Sequence, residues 1–342
     1  MISKVAVLIL NFNGKQFLGE CFKSLRITEY PCYEVYLVDN GSSDNSVEYV
    51  QENFPWVKII KHRKNYGFCE GYNKAIRQID AKYVMLLNND IKVLKKDWLI
   101  NLVEVLEGDD KIAAVGAKLI FANFPSIINS VGGRLYRWSG AADIGARESD
   151  FGQYDRPPIE PFYNCGGAML LRRDIFLSVG GFDSKMFAYS EDLDLCWRFR
   201  LAGFRIVYCP KVTIHHIFSA SWHSYGLYKM YLSNRNLIRA MGKNYSLSSL
   251  CKNAPLFILN GLVQTMLFSL VFRKTLAFYF NLKALAWNIA NLPSTMKERY
   301  KIQTSRKTPE NAVLTAMGQE KFEKVTEILR KIRFDRKYSG MR

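Results

Sequence analysis

The sequence predicts an α/β protein in which a doubly wound, mostly parallel sheet is followed by a helical, basic extension. Apolar strand patterns alternate with amphipathic helix patterns over residues 1–90, as is typical of parallel sheets. After residue 225 this alternation gives way to long apolar stretches and basic residues. We therefore expect a domain of residues 1–225, divided near residue 120, and an extension of residues 226–342.

The first part of the chain alternates regularly between strand and helix. Continuous apolar runs, typical of strands covered on both faces, predict strands at 5–10, 34–38, 57–61 and 83–87. Helical periodicity predicts helices at 15–25, 45–53 and 71–79. Residues 120–165 are rich in glycine and loop-forming residues, so we expect an insertion or flexible lid there. A further helix is expected to begin near residue 190, and a further strand to cover 212–214.

Polar segments follow three of these strands, at 11–14, 39–44 and 88–90. Because ligands bind beyond the carboxyl ends of parallel strands, we expect the three segments to meet on one rim. Asp39 could accept a hydrogen bond from a pyrimidine ring N–H, or could form only an Asx turn. Asn88-Asn89-Asp90 combines a carboxylate with amides, which suits Mg²⁺ or Mn²⁺, although a polar turn explains it as well.

Two common nucleotide-binding motifs are missing from the sequence. The first strand runs into Asn13-Gly14-Lys15 rather than into GxGxxG, and no GxxxxGK[ST] segment occurs. These absences argue against a nicotinamide dehydrogenase and against a P-loop kinase or ATPase.

The expected helix near residue 190 begins with a cluster of acids. Asp192 is a reasonable general base for activating a hydroxyl, although first-turn acids also complement the helix dipole, as we expect partly for Glu191. Asp194 and Arg198 are four residues apart and can pair on one helix face. The next strand ends at His215-His216, where either imidazole could bind a metal.

Seven segments, taken in order, resemble glycosyltransferase family 2, the inverting enzymes with the GT-A fold, and in particular its rhamnosyltransferase-like branch. The segments are VAVLILNFNG, LVDNGSSDNS, NYGFCEGYNKAI, LNND, NCGGAMLLRRDIF, GGFDSKMFAYSEDLDLCWR and HHIFSAS. The resemblance covers about residues 1–300. One departure is that Asn88 stands where the family motif has its first acid.

The resemblance implies roles for individual residues. Asp192 would be the catalytic base, and Asp90 with His216 would bind Mg²⁺ or Mn²⁺. His215 is the alternative ligand, because Phe218 replaces the usual glycine. The nucleotide would contact Asn11, Asn13, Asp39, Asn65, Gly67, Asn73, Asn88 and Asn89. The donor sugar or the acceptor would contact Gly166, Gly167, Ala168, Glu191 and Trp222.

The function implied by the resemblance is an inverting, metal-dependent glycosyl transfer in cell-surface glycan synthesis. The donor would be a pyrimidine nucleotide-sugar, with dTDP-rhamnose first and UDP-galactofuranose, a UDP-hexose or a UDP-N-acetylhexosamine as alternatives. The acceptor would be a hydroxyl of a lipid-linked or polysaccharide substrate. The alternative function is a catalytically inactive sugar-nucleotide-binding or scaffolding homologue.

The positive charge of the chain is concentrated in its last third. The whole chain has a net charge of +17, and residues 226–342 carry 21 Lys+Arg against 6 Asp+Glu, a net +15. An anionic membrane surface attracts such a segment. A nucleic-acid partner is not expected, because the basic residues lie among apolar stretches and form no nucleic-acid-binding motif.

The extension contains two apolar stretches, at 254–272 and 275–292, and a basic amphipathic pattern at 318–334. We expect both stretches to dock on the membrane surface; spanning it, a buried helical layer or an oligomer interface are the alternatives. The seven cysteines show no paired spacing, and the short N-terminal apolar run has no cleavage site. We therefore expect a cytoplasmic protein, peripheral on the membrane, and leave a homo-oligomer open.

Overall fold

The structure is a computed structural model that describes residues 2–156, 159–217, 226–272 and 276–319. Its strands are β1 (Val5–Asn11), β2 (Tyr33–Asp39), β3 (Lys58–Lys61), β4 (Tyr83–Asn88), β5 (Ile91–Val93), β6 (Ile112–Phe121), β7 (Phe124–Ser130), β8 (Gly133–Tyr136), β9 (Gly140–Asp143), β10 (Ala168–Arg172) and β11 (Arg205–His216). Its helices are α1 (Lys15–Leu25), α2 (Ser46–Asn53), α3 (Gly67–Gln78), α4 (Trp98–Glu107), α5 (Arg173–Ser178), α6 (Glu191–Leu201), α7 (Gly226–Asn244), α8 (Leu247–Phe272), α9 (Leu276–Ala290), α10 (Leu292–Thr304) and α11 (Glu310–Thr315), with a 3₁₀ turn at Ser184–Met186.

One sheet organises the domain, with the strand order β3-β2-β1-β4-β10-β6-β11-β5 and β7 paired to β6. Strands β1 to β4 run parallel to one another, and β11 runs parallel to β6. Strand β10 lies antiparallel between β4 and β6. The predicted α/β fold with a mostly parallel sheet and C-terminal helices is therefore confirmed.

The apolar runs are buried because helices cover both faces of the sheet. Along β1, Val5, Val7 and Ile9 pack on the side of α1 and α4. The alternate residues Ala6 and Leu8 pack on the side of α3, α6 and α7. Burying one such side chain contributes about 1.5–3 kcal/mol, so the sheet is a rigid platform for the loops at its edge.

Helix α3 begins at Gly67, four residues before the predicted start at residue 71. Gly67 has a φ of +75°, and a Cβ there would lie 2.6 Å from the backbone oxygen of Phe187. The side chain of Asn65 accepts a hydrogen bond from the Gly67 N–H at 2.8 Å. The helix starts early because this glycine permits a turn that other residues could not make.

The expectation of a loop-rich insertion at 120–165 is wrong in part. Strand β7 extends the main sheet, and β8 with β9 forms a two-stranded hairpin. Gly133 is one of the glycines that suggested a flexible segment. It packs directly against Tyr163, since a Cβ at Gly133 would lie 1.9 Å from that ring. The glycine therefore serves close packing.

Helix α7 packs against the sheet domain, since Leu237, Ala240, Met241 and Tyr245 join the core that contains α3 and α6. Helices α8 and α9 contain the two apolar stretches. Within the described ranges, we find no helix with the length and apolar character needed to cross a membrane. Residues 320–334 of the expected amphipathic helix lie outside the described residues.

Candidate functional site

The rim predicted from the three polar segments forms at the ends of β1, β2 and β4. The Asn89 Nδ2 donates to Asn11 Oδ1 at 2.7 Å, and the Asn11 Nδ2 donates to Ser42 Oγ at 3.2 Å. The Asn13 side chain accepts from the Ser43 N–H at 2.8 Å. These bonds fix the loops after three strands against one another, so the rim is rigid before any ligand binds.

Asp39 is fully buried at the end of β2. Its carboxylate accepts hydrogen bonds from the N–H groups of Gly41 and Ser42, each at 3.2 Å. Asp39 therefore forms an Asx turn, which is one of the two roles that the sequence offered for it.

Asn40, the next residue, connects the rim to α3. Its Nδ2 donates to Asn65 Oδ1 at 3.0 Å and to the Gly67 carbonyl at 2.9 Å, and its Oδ1 accepts from the Tyr66 N–H. The sequence motif drew attention to Asn65 and Gly67. Asn40, which holds both, was missed although it stands next to Asp39.

Asp90 and His216 lie side by side, which brings together residues that are 126 positions apart in the chain. The Asp90 Oδ1 is 3.1 Å from the His216 Nε2. Asn88 Nδ2 lies 3.2 Å from the same nitrogen. On the other side of the ring, the His216 Nδ1 lies 3.0 Å from Asn129 Oδ1. Both ring nitrogens thus lie within hydrogen-bonding distance of a side chain, and an imidazole that binds a metal through Nε2 would carry its proton on Nδ1 and donate it to Asn129.

The Asp90–His216 pair fits a divalent metal of octahedral preference. In such a shell, with ligand distances of about 2.1 Å, neighbouring ligand atoms are about 3 Å apart, which matches the observed 3.1 Å. Within the described ranges, no group of three or more His, Cys, Asp or Glu side chains gathers around a common point. Two protein ligands leave positions for water and phosphate oxygens, as Mg²⁺ and Mn²⁺ prefer.

His215, the alternative ligand, is placed elsewhere. In β11 it pairs with Lys92 of β5, and alternation along a strand turns it away from its neighbour His216. Burial, followed by the charge of Lys92, lowers the pKa of His215.

Asp192 begins α6 and is held by backbone donors. Its Oδ2 accepts from the Gly166 N–H at 3.0 Å, and its Oδ1 accepts from the Leu193 N–H at 2.8 Å. Burial raises the pKa of Asp192 above its ordinary value, although both hydrogen bonds oppose that rise. The side chain is half-buried, so it can still reach a substrate hydroxyl as a base.

Glu191 has a different environment from its neighbour. It is 6% exposed, and its Oε2 has no hydrogen-bond partner among the described residues. Burial, followed by the negative charge of Asp192, raises the pKa of Glu191 well above its ordinary value. The rise favours the protonated form of Glu191, so Asp192, which accepts two backbone N–H bonds, is the better candidate for the ionised member of the pair.

A cleft of about 890 Å³ joins these groups. The predicted residues that line it are Asn88, Asn89, Asp90, Gly166, Gly167, Glu191, Asp192 and His216. A second wall comes from the C-terminal helices and carries mainly polar side chains: Lys229, Ser233, Asn234, Asn260, Gln264 and Thr265. Asn260 and Gln264, which interrupt the apolar stretch of α8 in the sequence, therefore face the cleft.

The two glycines in the cleft lie tightly against the reactive side chains. A Cβ on Gly166 would lie 3.1 Å from Phe68 and 3.6 Å from the Asp192 Cβ, and one on Gly167 would lie 3.0 Å from Asn88 Nδ2. A side chain at either position would crowd its neighbours in the protein, so glycine is needed here whether or not a substrate is bound.

Other predicted residues lie away from the cleft. Ala168 is buried in the core against the sheet. Asn73 is buried too, and its side chain exchanges two hydrogen bonds with the backbone of Phe182, at 2.8 and 2.9 Å. Trp222 lies outside the described residues.

Sequence reasoning missed Asn129, which orients His216 from β7. The signal was present, because Ile127-Ile128-Asn129-Ser130 has strand character, but the surrounding glycines led us to read a loop. Asp143 and Lys229 also line the cleft, and neither belongs to a recognisable motif.

Comparison with known proteins gives curated relatives that are similar to about 60% of this chain. The O-antigen biosynthesis protein RfbC of Myxococcus xanthus is 27% identical over 226 residues, covering 60% of this chain and 17% of that protein. The poly-beta-1,6-N-acetyl-D-glucosamine synthase of Staphylococcus aureus (strain COL) is 24% identical over 217 residues, covering 60% of this chain and 48% of that protein. The chain thus spans less than half the length of these curated relatives.

Two solved structures share the fold. The mannosyltransferase PcManGT from Pyrobaculum calidifontis, in complex with GDP-Man and Mn²⁺, aligns with a TM-score of 0.54 at 16% identity, covering 100% of this chain and 89% of that one. S. aureus TarS 1–349 in complex with UDP aligns with a TM-score of 0.54 at 14% identity, covering 92% and 90%.

The sequence profile described as glycosyl transferase family 2 matches residues 6–180. The match includes the rim, Asn88-Asn89-Asp90 and the two glycines, and it ends before Asp192 and His216. Because it spans half of the chain, and because the fold and the rim agree with it, this chain belongs to glycosyl transferase family 2.

Proposed function

We propose that this protein is an inverting glycosyltransferase of cell-surface glycan synthesis, with Asp192 as its catalytic base. The observation that carries the proposal is that Asp192 and the Asp90–His216 pair line the same cleft. One carboxylate with a raised pKa and one cation-binding pair suit a direct displacement at a sugar carbon.

In the proposed reaction, Asp192 accepts the proton of an acceptor hydroxyl. The hydroxyl oxygen attacks the anomeric carbon, and the bond from that carbon to the nucleotide diphosphate breaks, which inverts the configuration. Gly166 and Leu193 hold the Asp192 carboxylate in one orientation through their N–H groups. Glu191 remains protonated and adds no second negative charge to the site.

Asp90 and His216 would hold the divalent metal, and Asn129 would keep the imidazole oriented toward it. A bound Mg²⁺ or Mn²⁺ would neutralise the charge of the diphosphate leaving group. The solved mannosyltransferase holds Mn²⁺ and GDP-Man, which supports a metal and a nucleotide-sugar for this chain. The loops containing Asp39 and Asn65 would border the nucleotide base.

The donor is proposed to be a pyrimidine nucleotide-sugar, with dTDP-rhamnose as the first candidate. Thermal-shift measurements against UDP-, dTDP- and GDP-sugars, with Mn²⁺ or Mg²⁺, test this choice. We expect stabilisation by dTDP- or UDP-sugars that disappears in the variant Asp90→Ala. The matched control Asp97→Ala, on the exposed surface, should keep it. Stabilisation by GDP-sugars alone would contradict a pyrimidine donor.

We further propose that α8 and α9 dock on the anionic cytoplasmic face of a membrane, where a lipid-linked acceptor would reach the cleft. These helices expose large apolar side chains, including Leu259, Leu267, Leu270, Leu276 and Ile289. The basic residues of the extension favour an anionic surface. Asn260 and Gln264, which belong to the same helix, line the cleft. Helix α8 would therefore connect the membrane with the acceptor site.

Co-sedimentation with vesicles containing phosphatidylglycerol tests this docking. Replacing Leu259, Leu267 and Leu270 by serine should weaken vesicle binding by roughly tenfold or more, because each buried leucine contributes about 1.5–3 kcal/mol. The control replaces Ile27, Leu94 and Ile100, which are also exposed, at 38–45%, on another part of the chain. Equal loss in both variants would refute the assignment of the docking face.

A further inference from the structure

A second cavity, of about 820 Å³, lies beside the C-terminal end of α6. Its walls are the segment 178–185, the end of α6, helix α7 and helix α10. Arg198, which lines it, lies six residues beyond Asp192, or about 9 Å along the helix axis. The two cavities share no lining residue, so this one is separate from the proposed catalytic cleft.

The cavity is strongly basic. Its eight basic lining residues are Lys185, Arg198, Arg239, Lys243, Lys297, Lys301, Arg306 and Lys307. The acidic ones are Asp183 and Glu298. Glu298 forms a surface ion pair with Lys301 at 2.8 Å, so it does not offset the other cations.

The innermost layer of the wall has more positive than negative charge. Asp183 accepts from Arg239 at 2.7 Å and from Lys243 at 2.6 Å. Asp194 accepts from Arg198 and Lys243, each at 3.0 Å. All five side chains are nearly or fully buried. Three cations thus share two carboxylates, which leaves one positive charge without a counter-ion within this layer.

Arg198 has an unused donor. Its Nε donates to Asp194 and its Nη1 donates to the Val179 carbonyl at 2.8 Å. Its Nη2 is buried and has no hydrogen-bond partner among the described residues. A buried guanidinium nitrogen without an acceptor is unfavourable, and an anion in the cavity that Arg198 lines would offset the excess charge of this layer.

We propose that this cavity binds a phosphate group, as a phosphomonoester or phosphodiester, at a site distinct from the nucleotide-sugar cleft. The exposed lysines at the mouth attract anions from solution, and the negative charge of a phosphate group would offset the excess cation of the innermost layer. The volume exceeds that of one phosphate group, so the ligand carries the phosphate on a larger molecule. A phospholipid headgroup and a soluble phosphorylated compound share this chemistry.

Calorimetric titration of the full chain with inorganic phosphate tests the site. Replacing Lys297 and Lys307 by glutamine should weaken phosphate binding roughly tenfold, because both cations line the cavity and attract the anion. The matched control replaces Lys95 and Lys111, which are also exposed and lie outside the cavity, and should bind as the wild type does. Equal phosphate affinity in all three proteins would overturn the proposal.

A third variant and a vesicle competition experiment test the site further. The variant Lys243→Met removes the excess cation of the innermost layer, so a folded variant should lose phosphate affinity; if it fails to fold, the lysine pair decides. Vesicles of phosphatidylcholine with phosphatidic acid identify the source. Competition between vesicles and phosphate assigns a lipid headgroup, and phosphate binding unaffected by vesicles assigns a soluble ligand.

Discussion

At the scale of single residues, the site depends on two neighbouring carboxyl groups with different environments. Glu191 is buried with an unpartnered Oε2, whereas Asp192 accepts two backbone N–H bonds and faces the cleft. The backbone donors favour the ionised form of Asp192, and burial favours the protonated form of Glu191. In the proposed reaction the pair therefore supplies one base.

A pH profile of turnover tests this division of roles. Because the pKa of Asp192 is raised, a base that must be ionised loses activity as pH falls through a value above the ordinary aspartate range. We expect kcat/KM to rise with pH across that limb. The variant Glu191→Gln should keep the limb in place and change kcat less than about tenfold, since glutamine resembles the protonated acid. A limb that moves or disappears in this variant would show that Glu191 titrates in the reaction.

Asn129 makes a second test at this scale. Its Oδ1 lies 3.0 Å from His216 Nδ1 and so fixes which ring nitrogen faces Asp90. The variant Asn129→Ala should weaken Mn²⁺ binding about 10- to 100-fold, as losses of such orienting partners do. Electron paramagnetic resonance of free Mn²⁺ measures this. Unchanged Mn²⁺ affinity would mean that the His216 ring is held by other contacts.

At the scale of elements, α6 connects the catalytic half to the extension. Its first turn faces the cleft with Asp192, and its next residues bind α7 through Asp194, Arg198 and Lys243. Burial opposes the ionisation of Asp194, but Lys243 and Arg198 outweigh it and hold the pKa of Asp194 below its ordinary value. Helix α7 therefore stabilises the helix that positions the base.

The charge balance of this interface predicts unequal effects of removing its members. Asp194→Asn leaves three buried cations with one carboxylate and should cost about 3–5 kcal/mol in the free energy of unfolding. Lys243→Met removes the excess cation and should lower the free energy of unfolding by clearly less than Asp194→Asn does. Urea denaturation measures both. A larger loss of unfolding free energy for Lys243→Met than for Asp194→Asn would contradict the count of three cations against two carboxylates.

Some elements could be predicted from sequence and others could not. The Asp194–Arg198 pair followed from helical spacing, and the meeting of the three polar segments followed from parallel strands. The contact between His216 and Asn129 could not be predicted, because it joins positions 87 residues apart through a strand that looked like a loop. Ala168 was assigned to the cleft from its glycine neighbours, although strand alternation directs its side chain into the core.

At the scale of the whole molecule, the structure joins what the sequence appeared to separate. The near-neutral domain and the basic extension share one core through α7, and α8 supplies a wall of the cleft. Net charge predicted an anionic partner but could not locate it. The structure distinguishes an exposed apolar face on α8 and α9 from the basic cavity beside α6, and each has its own test.

The most direct test of the central claim is turnover by Asp192→Asn, measured together with calorimetric donor binding. The account predicts that donor affinity stays within about threefold of the wild type, because the amide keeps the shape of the side chain, while kcat falls about 10²- to 10⁴-fold with the loss of the base. Turnover equal to that of the wild type would contradict the account.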